Sequence, residues 1–270
     1  MSDPVPAITE AAATGETAAL FSDIRAVIGV RVVNLVWRHL ATIEGALPPA
    51  WAAVRPLYTE GCVDTEAARW RADMVLPRIA SLAGEEPPGV DAVLASYDHS
   101  NAMNLFALGA LLARLRGETE THGEPARGAR LRAPDLALPP LLSESGVAPE
   151  TWARVLRLNR MGDQPQPLIL ASMYRHLAHW PAFLERIEAA LAPVQNDGTL
   201  AGAINANGTA ARTRARVIAR AIAMPDYPPE SGKRIELAVA AFVEHAIGKM
   251  VTIGRTLRLA RGTGLYSARG

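Results

Sequence analysis

The chain has 270 residues, enough to bury a sizeable core as one large domain or two ordinary ones. Its single cysteine, Cys62, excludes an internal disulfide framework, a CxxC redox centre and a cysteine-rich metal site. A net charge of +1 argues against a protein that binds nucleic acid or a membrane surface. Abundant alanine with few aromatic residues favours helices over strands.

Helix signals follow one another through the first half of the chain. A helix is predicted over residues 15–28, where apolar residues recur at helical spacing and Gly29 is a natural stop. Asp64 is predicted to cap a helix that ends near Leu82. The remaining helices of this half are predicted over residues 32–43, from the Pro48–Pro49 pair onward, and over residues 90–116.

The second half carries the same kinds of signal. Its helices are predicted over residues 149–160, 168–179, 181–191, 209–223 and 230–261. The segment 196–208, which contains Gly and Asn, is a natural place for an insertion between two of them. Alternation with a period of two is rare throughout, so the predicted fold class is all-α.

An internal repeat organises these helices. Residues 32–57 and 169–194 align without gaps at an offset of 137, and eight of the 26 pairs are identical. The match contains a continuous Arg-His-Leu-Ala that follows Trp37 in the first copy and Tyr174 in the second. A weaker match relates residues 93–112 to 238–257. The repeat predicts an internal duplication.

The duplication predicts two homologous helical halves, over residues 8–116 and 140–262. Residues 117–139, rich in Gly, Arg and Glu where they begin, are predicted to form an exposed linker. Two such halves would pack most simply about a pseudo-twofold axis, as one compact unit. A site at their junction would be lined by residues from both.

Several polar residues are candidates for chemistry. His39 and His176 are repeat partners, so a shared structural hydrogen bond to a backbone carbonyl explains both, while a general base is the sharper interpretation. His176 and His179 lack a third ligand at metal spacing, so no metal site is predicted. Asn101 and Asn104 lie three residues apart in an apolar helix, where a buried amide must be paired or line a polar pocket.

Other patterns indicate structure or exclude function classes. Asp163 is predicted to cap a turn, and the arginines of residues 212–220 are predicted to form a solvated helix face. Motifs for nucleotide binding, zinc peptidases and α/β-hydrolases are missing. The N-terminus has no secretory signal, and the longest uncharged stretch, residues 99–113, is too short to span a membrane. The expected protein is cytoplasmic, with no membrane or nucleic-acid partner.

Residues 14–41, their echo at 168–184 and the helical duplication resemble the group I 2-haloacid dehalogenases, the DehI-like halocarboxylic acid dehalogenase family. The resemblance covers nearly the whole chain. It implies two related all-α halves with a topology akin to the AhpD-like helical fold, without the redox CxxC of that fold. It also implies cofactor-free hydrolysis of a small 2-halocarboxylic acid, in which water attacks C2 directly and inverts its configuration. A small organic acid is the implied partner, and a homodimer is compatible with it.

The resemblance also implies a set of site residues. Carried over one by one, the pocket positions fall on Trp37, Leu40, Asn101 or Asn104, Ser172, Met173 and Phe242. Met173 takes the place of the Asp that serves the family as base, and a thioether cannot take a proton from water. His176 and Asp163 are the nearest substitutes. Two functions stay open: a hydrolase with another base, and a protein that binds a small organic acid without this chemistry.

Overall fold

The computed structural model describes residues 5–84, 88–131, 137–162, 169–224 and 228–262. Helices dominate these ranges and no strand occurs within them, so the predicted all-α class is confirmed. The helices are α1 (Gly15–Ile28), α2 (Leu35–Leu40), α3 (Leu47–Thr59), α4 (Cys62–Asp73), α5 (Pro88–Leu115), α6 (Pro149–Arg160), α7 (Ser172–Leu177), α8 (Pro181–Asn196), α9 (Thr199–Ile218), α10 (Pro229–Ala240) and, after a π-helical segment (Ala241–Ile247), α11 (Gly248–Ala260).

Two long helices form the centre of the fold. α5 is buried along most of its length, and residues 229–260 form a second continuous helix beside it. Ion pairs along the seam join Asp91 to Arg261, Asp98 to Arg255, and Arg116 to Glu244. Because low numbers in α5 pair with high numbers in the other helix, the two helices run antiparallel.

Apolar side chains form two cores, and both cores use these long helices. The first core packs α1–α4 against the C-terminal part of α5 and against α10. The second core packs α6–α8 against the N-terminal part of α5 and against α11. Since neither core closes without both long helices, the two parts of the chain are joined through their interiors.

Strong local signals place several helix ends where the sequence predicts them. α1 spans the predicted residues, and Gly29 ends it in the left-handed conformation with φ of 75°. α6 also matches its prediction. The prolines at positions 48 and 49 lie in the first turn of α3, where no N–H is needed.

The predicted cap at Asp64 is wrong. α4 begins at Cys62, directly after Gly61 in the left-handed conformation, so Asp64 lies within the first turn. Its carboxylate accepts a hydrogen bond from the backbone N–H of Leu131 at 3.0 Å. The helix also ends at Asp73, well before the predicted end near Leu82.

The segment predicted as an insertion is largely helical. α9 begins at Thr199, ten residues before its predicted start, after Gly198 turns the chain with φ of 81°. Asn207 lies within this helix, and its side-chain amide makes two hydrogen bonds to the backbone of Val75. The amide accepts from the N–H of Val75 and donates to the carbonyl oxygen of Val75. Asparagine favours loops, but here the hydrogen-bonding groups of the Asn207 side chain are satisfied within a helix by the backbone of a residue distant in sequence.

The described part of the predicted linker is held by arginines near the C-terminal end of α9 and just beyond it, within the stretch that the sequence predicts to be a solvated helix face. Arg220 donates to the carbonyl oxygens of Thr121 and Gly123 at 3.1 and 2.9 Å, and Arg216 pairs with Glu118. Further along, the N–H of Ala126 donates to a carboxylate of α4. The described part of the linker is thus anchored at several points, although many of its side chains are exposed.

The duplication and its domain boundaries remain predictions. Each copy of the repeat contains a six-residue helix near its beginning, α2 in the first and α7 in the second, and each is shorter than the helix predicted there. Residues 229–260 are long and apolar enough to cross a membrane, but 72% of their most apolar window is buried inside the fold. This helix therefore has the burial of a core helix.

Candidate ligand-binding cavity

A small cavity, partly open to solvent, lies where α2, α5, α7 and the π-helical segment meet. Residues from both predicted halves contribute to its wall, as expected for a site at their junction. The wall is formed by Asn34, Leu35, Val36, Tyr97, Asn101, Ile169, Leu170, Ala171, Ser172, Met173, Phe242, Ala246, Ile247 and Met250.

The polar part of this wall consists of amides and hydroxyls. Asn34 and Asn101 supply the amides, and Tyr97 and Ser172 supply the hydroxyls. None of the described lining residues is acidic, basic or a histidine. Within the described ranges there is also no cluster of three or more His, Cys, Asp or Glu side chains that could hold a metal ion.

The structure brings four of the sequence-predicted pocket residues together at this cavity: Asn101, Ser172, Met173 and Phe242. Met173 is only 1% exposed, and its sulfur lies close to Gly254. The position that the resemblance assigns to the catalytic base thus faces the cavity with a hydrocarbon-like side chain.

The other three predicted pocket residues do not line it. Leu40 and Trp37 are fully buried in the first core. The indole N–H of Trp37 donates to Asn104 Oδ1 at 3.0 Å, and the hydroxyl of Tyr58 donates to the same oxygen at 2.8 Å. Asn104 is therefore a structural amide that satisfies two buried donors, and Asn101 is the member of the pair that reaches the cavity.

His176, a candidate base, is fully buried and does not line the cavity. Its Nδ1 lies 2.9 Å from the hydroxyl oxygen of Tyr97. Burial, with the nearby positive charges of His179, Arg175 and Arg38, lowers the pKa of His176 to about 4. The imidazole is consequently neutral near pH 7 and a weak base.

The predicted shared role for the two repeat histidines is wrong. His39 donates from Nδ1 to the carbonyl oxygen of Pro6 at 2.8 Å, as predicted, but His176 bonds to a phenol instead. In the second segment, His179 is the residue that contacts a carbonyl, that of Pro140 at 2.8 Å. Asp163, the other candidate base, lies outside the described residues.

Sequence reasoning missed Tyr97 and Asn34. Tyr97 lies four residues before Asn101 on α5, so both occupy one face of the helix. Its burial raises the pKa of the phenol, and Arg38, Ser172 and Arg175 oppose that rise. Asn34 precedes α2 without capping it, and instead donates to Ser100 Oγ at 3.1 Å. The helical spacing from Asn101 was the signal that could have identified Tyr97.

Buried Asn159 fixes the backbone of the cavity wall. Its amide donates to the carbonyl of Ile169 at 3.0 Å and accepts from the N–H of Ala171 at 2.9 Å. Lys249, itself 2% exposed, donates to the carbonyl of Asn159. The segment that leads into Ser172 is therefore held from the end of α6 and from α11.

The described residues define an all-α fold with a cavity between two helical cores, and the described lining of that cavity is largely apolar and uncharged. No protein-family model and no curated protein matches the sequence. Solved structures do match the fold. They include a D-2-haloacid dehalogenase mutant in complex with D-2-CPA (TM-score 0.74, 16% identity), a further D-2-haloacid dehalogenase mutant (0.70, 17%) and a D-2-haloacid dehalogenase in complex with L-LA (0.71, 17%).

Each of these matches covers 95% of this chain and 96% of the dehalogenase chain. The chain therefore has the fold of the D-2-haloacid dehalogenases along almost its entire length. The resemblance seen in the sequence is confirmed at the level of the fold.

Proposed function

We propose that this protein binds a small organic acid in the cavity without hydrolysing it through a carboxylate-activated water. The observation that carries the proposal is Met173, which faces the cavity at the position where the resemblance implies the catalytic Asp. The apolar wall suits a short alkyl chain, and the amide of Asn101 with the hydroxyls of Tyr97 and Ser172 suits a carboxylate. A short 2-substituted acid has both parts.

The described residues of this wall offer no base for hydrolysis. A general base must lie within hydrogen-bond reach of the attacking water and must have a suitable pKa. Met173 has no basic atom. His176 does not line the cavity and has a depressed pKa, while the raised pKa of Tyr97 keeps its phenol protonated.

The test measures binding and chemistry on the same sample. Each enantiomer of 2-chloropropionate is titrated in a calorimeter, and chloride release is followed over hours. We expect saturable binding without chloride release, and a melting temperature that rises with ligand concentration. Asn101→Ala should weaken binding, whereas Asn205→Ala, at an exposed position on α9, should not. Failure of the folded protein to bind either enantiomer would refute the proposal.

A second candidate is hydrolysis of a 2-halo acid by another base. The fold match to D-2-haloacid dehalogenases over 95% of the chain favours it. Chloride release by the unmodified protein would support this candidate and exclude the first. Loss of that release in Asp163→Asn, with retention in Asp197→Asn at an exposed turn, would then identify the base.

A further inference from the structure

A hydrogen bond joins two buried side chains, Tyr97 and His176, at the cavity wall. Tyr97 lines the cavity, and His176 lies behind it with Nδ1 2.9 Å from the phenolic oxygen. Tyr97 is 8% exposed and His176 is fully buried. The hydroxyl of Ser172 is near enough to lower the pKa of the phenol, yet it has no well-formed hydrogen bond among the described residues.

The direction of the Tyr97–His176 hydrogen bond follows from the other imidazole nitrogen. His176 is neutral near pH 7, so only one of its nitrogens carries a proton. Nε2 is buried without a hydrogen-bond partner among the described residues. An orphaned buried N–H is rarer in proteins than an orphaned acceptor, which favours the proton on Nδ1. His176 then donates to Tyr97, and the hydroxyl proton of Tyr97 must point elsewhere.

The surrounding charge selects what this hydroxyl can bind. Arg38 and Arg175 oppose the rise in the pKa of Tyr97 and contribute to the fall in that of His176, so their positive charges are felt at both groups. The described lining residues contribute no negative charge in return. A hydroxyl donor in a positive potential favours an anionic oxygen over a neutral one.

We propose that the hydroxyls of Tyr97 and Ser172 hold the carboxylate of the ligand, and that His176 acts as a positioning residue which keeps Tyr97 a donor toward the cavity. This inference rests on the proposed function and adds to it the position of the acid group. The alkyl part and the substituent at C2 then extend along the apolar wall formed by residues such as Met173, Phe242 and Ile247.

Binding measurements with a matched control test the position of the acid group. Affinities for 2-chloropropionate and for uncharged 2-chloropropionamide are measured for the wild type, Tyr97→Phe and Tyr174→Phe. Tyr174 is fully buried two residues after Ser172, and its hydroxyl has no partner among the described residues. We expect Tyr97→Phe to bind the acid about tenfold more weakly or worse, with a much smaller loss for the amide, and Tyr174→Phe to behave as the wild type.

The outcomes separate this inference from the proposed function. Wild-type protein that binds no acid refutes the proposed function. Wild-type protein that binds the acid while Tyr97→Phe binds it equally well refutes only the role of Tyr97, as does an equal loss in Tyr174→Phe.

A spectroscopic measurement tests the positioning role without any ligand. The ¹⁵N chemical shifts of the His176 imidazole report which nitrogen is protonated. We expect Nδ1 to carry the proton at pH 7 in the wild type, and the tautomer equilibrium to change in Tyr97→Phe. A proton found on Nε2 would overturn the assignment of Tyr97 as a donor held by His176.

Discussion

At the scale of single residues, Asn101 and Asn104 show how one helix serves both the core and the cavity. Asn104 satisfies Trp37 and Tyr58 inside the first core, whereas Asn101 lines the cavity three residues earlier. The sequence predicts that at least one amide must be paired, but it cannot choose between them. Which of the two amides is paired depends on the positions that the fold gives to Trp37 of α2 and Tyr58 of α3.

This difference predicts opposite phenotypes for the same substitution. Asn104→Leu leaves two buried donors without an acceptor, so we expect the free energy of unfolding to fall by roughly 2–4 kcal/mol. Asn101→Leu should change stability by less than about 1 kcal/mol and should weaken ligand binding instead. Urea denaturation and calorimetry on both variants measure the two effects. Equal destabilisation by both would contradict the assignment.

Met173 is the position at which a substitution could restore a catalytic carboxylate. Met173→Asp places a carboxyl group at the position that the resemblance assigns to the base, so we expect chloride release from at least one enantiomer of 2-chloropropionate. Because the position is 1% exposed, the buried acid should also lower the free energy of unfolding by about 3 kcal/mol. Met173→Asn introduces a side chain with the shape of aspartate but without its charge, so this variant should release no chloride. A folded but inactive Met173→Asp would show that more than the base is missing.

His176 makes stability depend on pH. Its pKa is about 4 in the folded protein, against about 6.5 in an unfolded chain. Below pH 6.5 the unfolded chain therefore binds a proton that the folded protein refuses until about pH 4. The free energy of unfolding should fall across this window as the pH is lowered, by up to about 3 kcal/mol from this group.

Urea denaturation between pH 7.5 and 4 measures this dependence. His176→Asn keeps a donor near the position of Nδ1 and removes the titration, so its stability should fall less steeply than that of the wild type. His122→Asn, at an exposed histidine, should retain the wild-type slope. His99, whose pKa burial also lowers, contributes in the same direction to all three proteins. Parallel curves for His176→Asn and the wild type would argue against the depressed pKa.

At the scale of elements, the π-helical segment determines which side chains of the last long helix reach the cavity. Phe242, Ala246 and Ile247 line the wall from within this segment. π-helical turns are rare and often occur at functional sites. The segment ends at Ile247, and at the next residue, Gly248, an added Cβ would lie 2.7 Å from the carbonyl oxygen of Val243.

Gly248 is therefore expected to be required for this geometry. Gly248→Ala brings a methyl group against backbone, so we expect a loss of about 1–3 kcal/mol in the free energy of unfolding, together with weaker ligand binding. Gly254→Ala is the matched control in the same helix, because its nearest neighbour, the sulfur of Met173, lies at an ordinary 3.7 Å. It should be neutral or slightly stabilising. Thermal and urea denaturation compare the two, and equal tolerance would contradict the steric argument.

Local signals predicted some elements well and others poorly, for a physical reason. Gly29 and the prolines at the starts of α3 and α6 act on the neighbouring backbone alone, so their effects are visible in the sequence. Asp64 and Asn207 are satisfied instead by distant chain segments, and their helices were misplaced. The cavity follows the same division: Asn101, Ser172, Met173 and Phe242 came from the resemblance, while the Tyr97–His176 contact depends on how α5 and α7 pack.

At the scale of the whole molecule, the two cores share α5 and the helix at residues 229–260. Val90, Val93 and Leu94 belong to the second core, although they lie in the first predicted half. We therefore expect a single unfolding transition, with the same midpoint by far-ultraviolet and near-ultraviolet circular dichroism. Tryptophans in both cores, such as Trp51 and Trp152, make fluorescence a third probe. Two separated transitions would show that the halves are independent domains.

The shared long helices also bear on how the chain is made. During synthesis, α5 leaves the ribosome long before α10 and α11, which cover much of its surface in the finished protein. The apolar residues along α5 can make their last contacts only after α11, near the end of the chain, has been synthesised. Contacts of such wide sequence separation slow folding, and an uncovered apolar helix in a partly made chain is a natural target for chaperones. The helix that supplies Tyr97 and Asn101 to the cavity thus makes the N-terminal part of the chain dependent on the last helices to be synthesised.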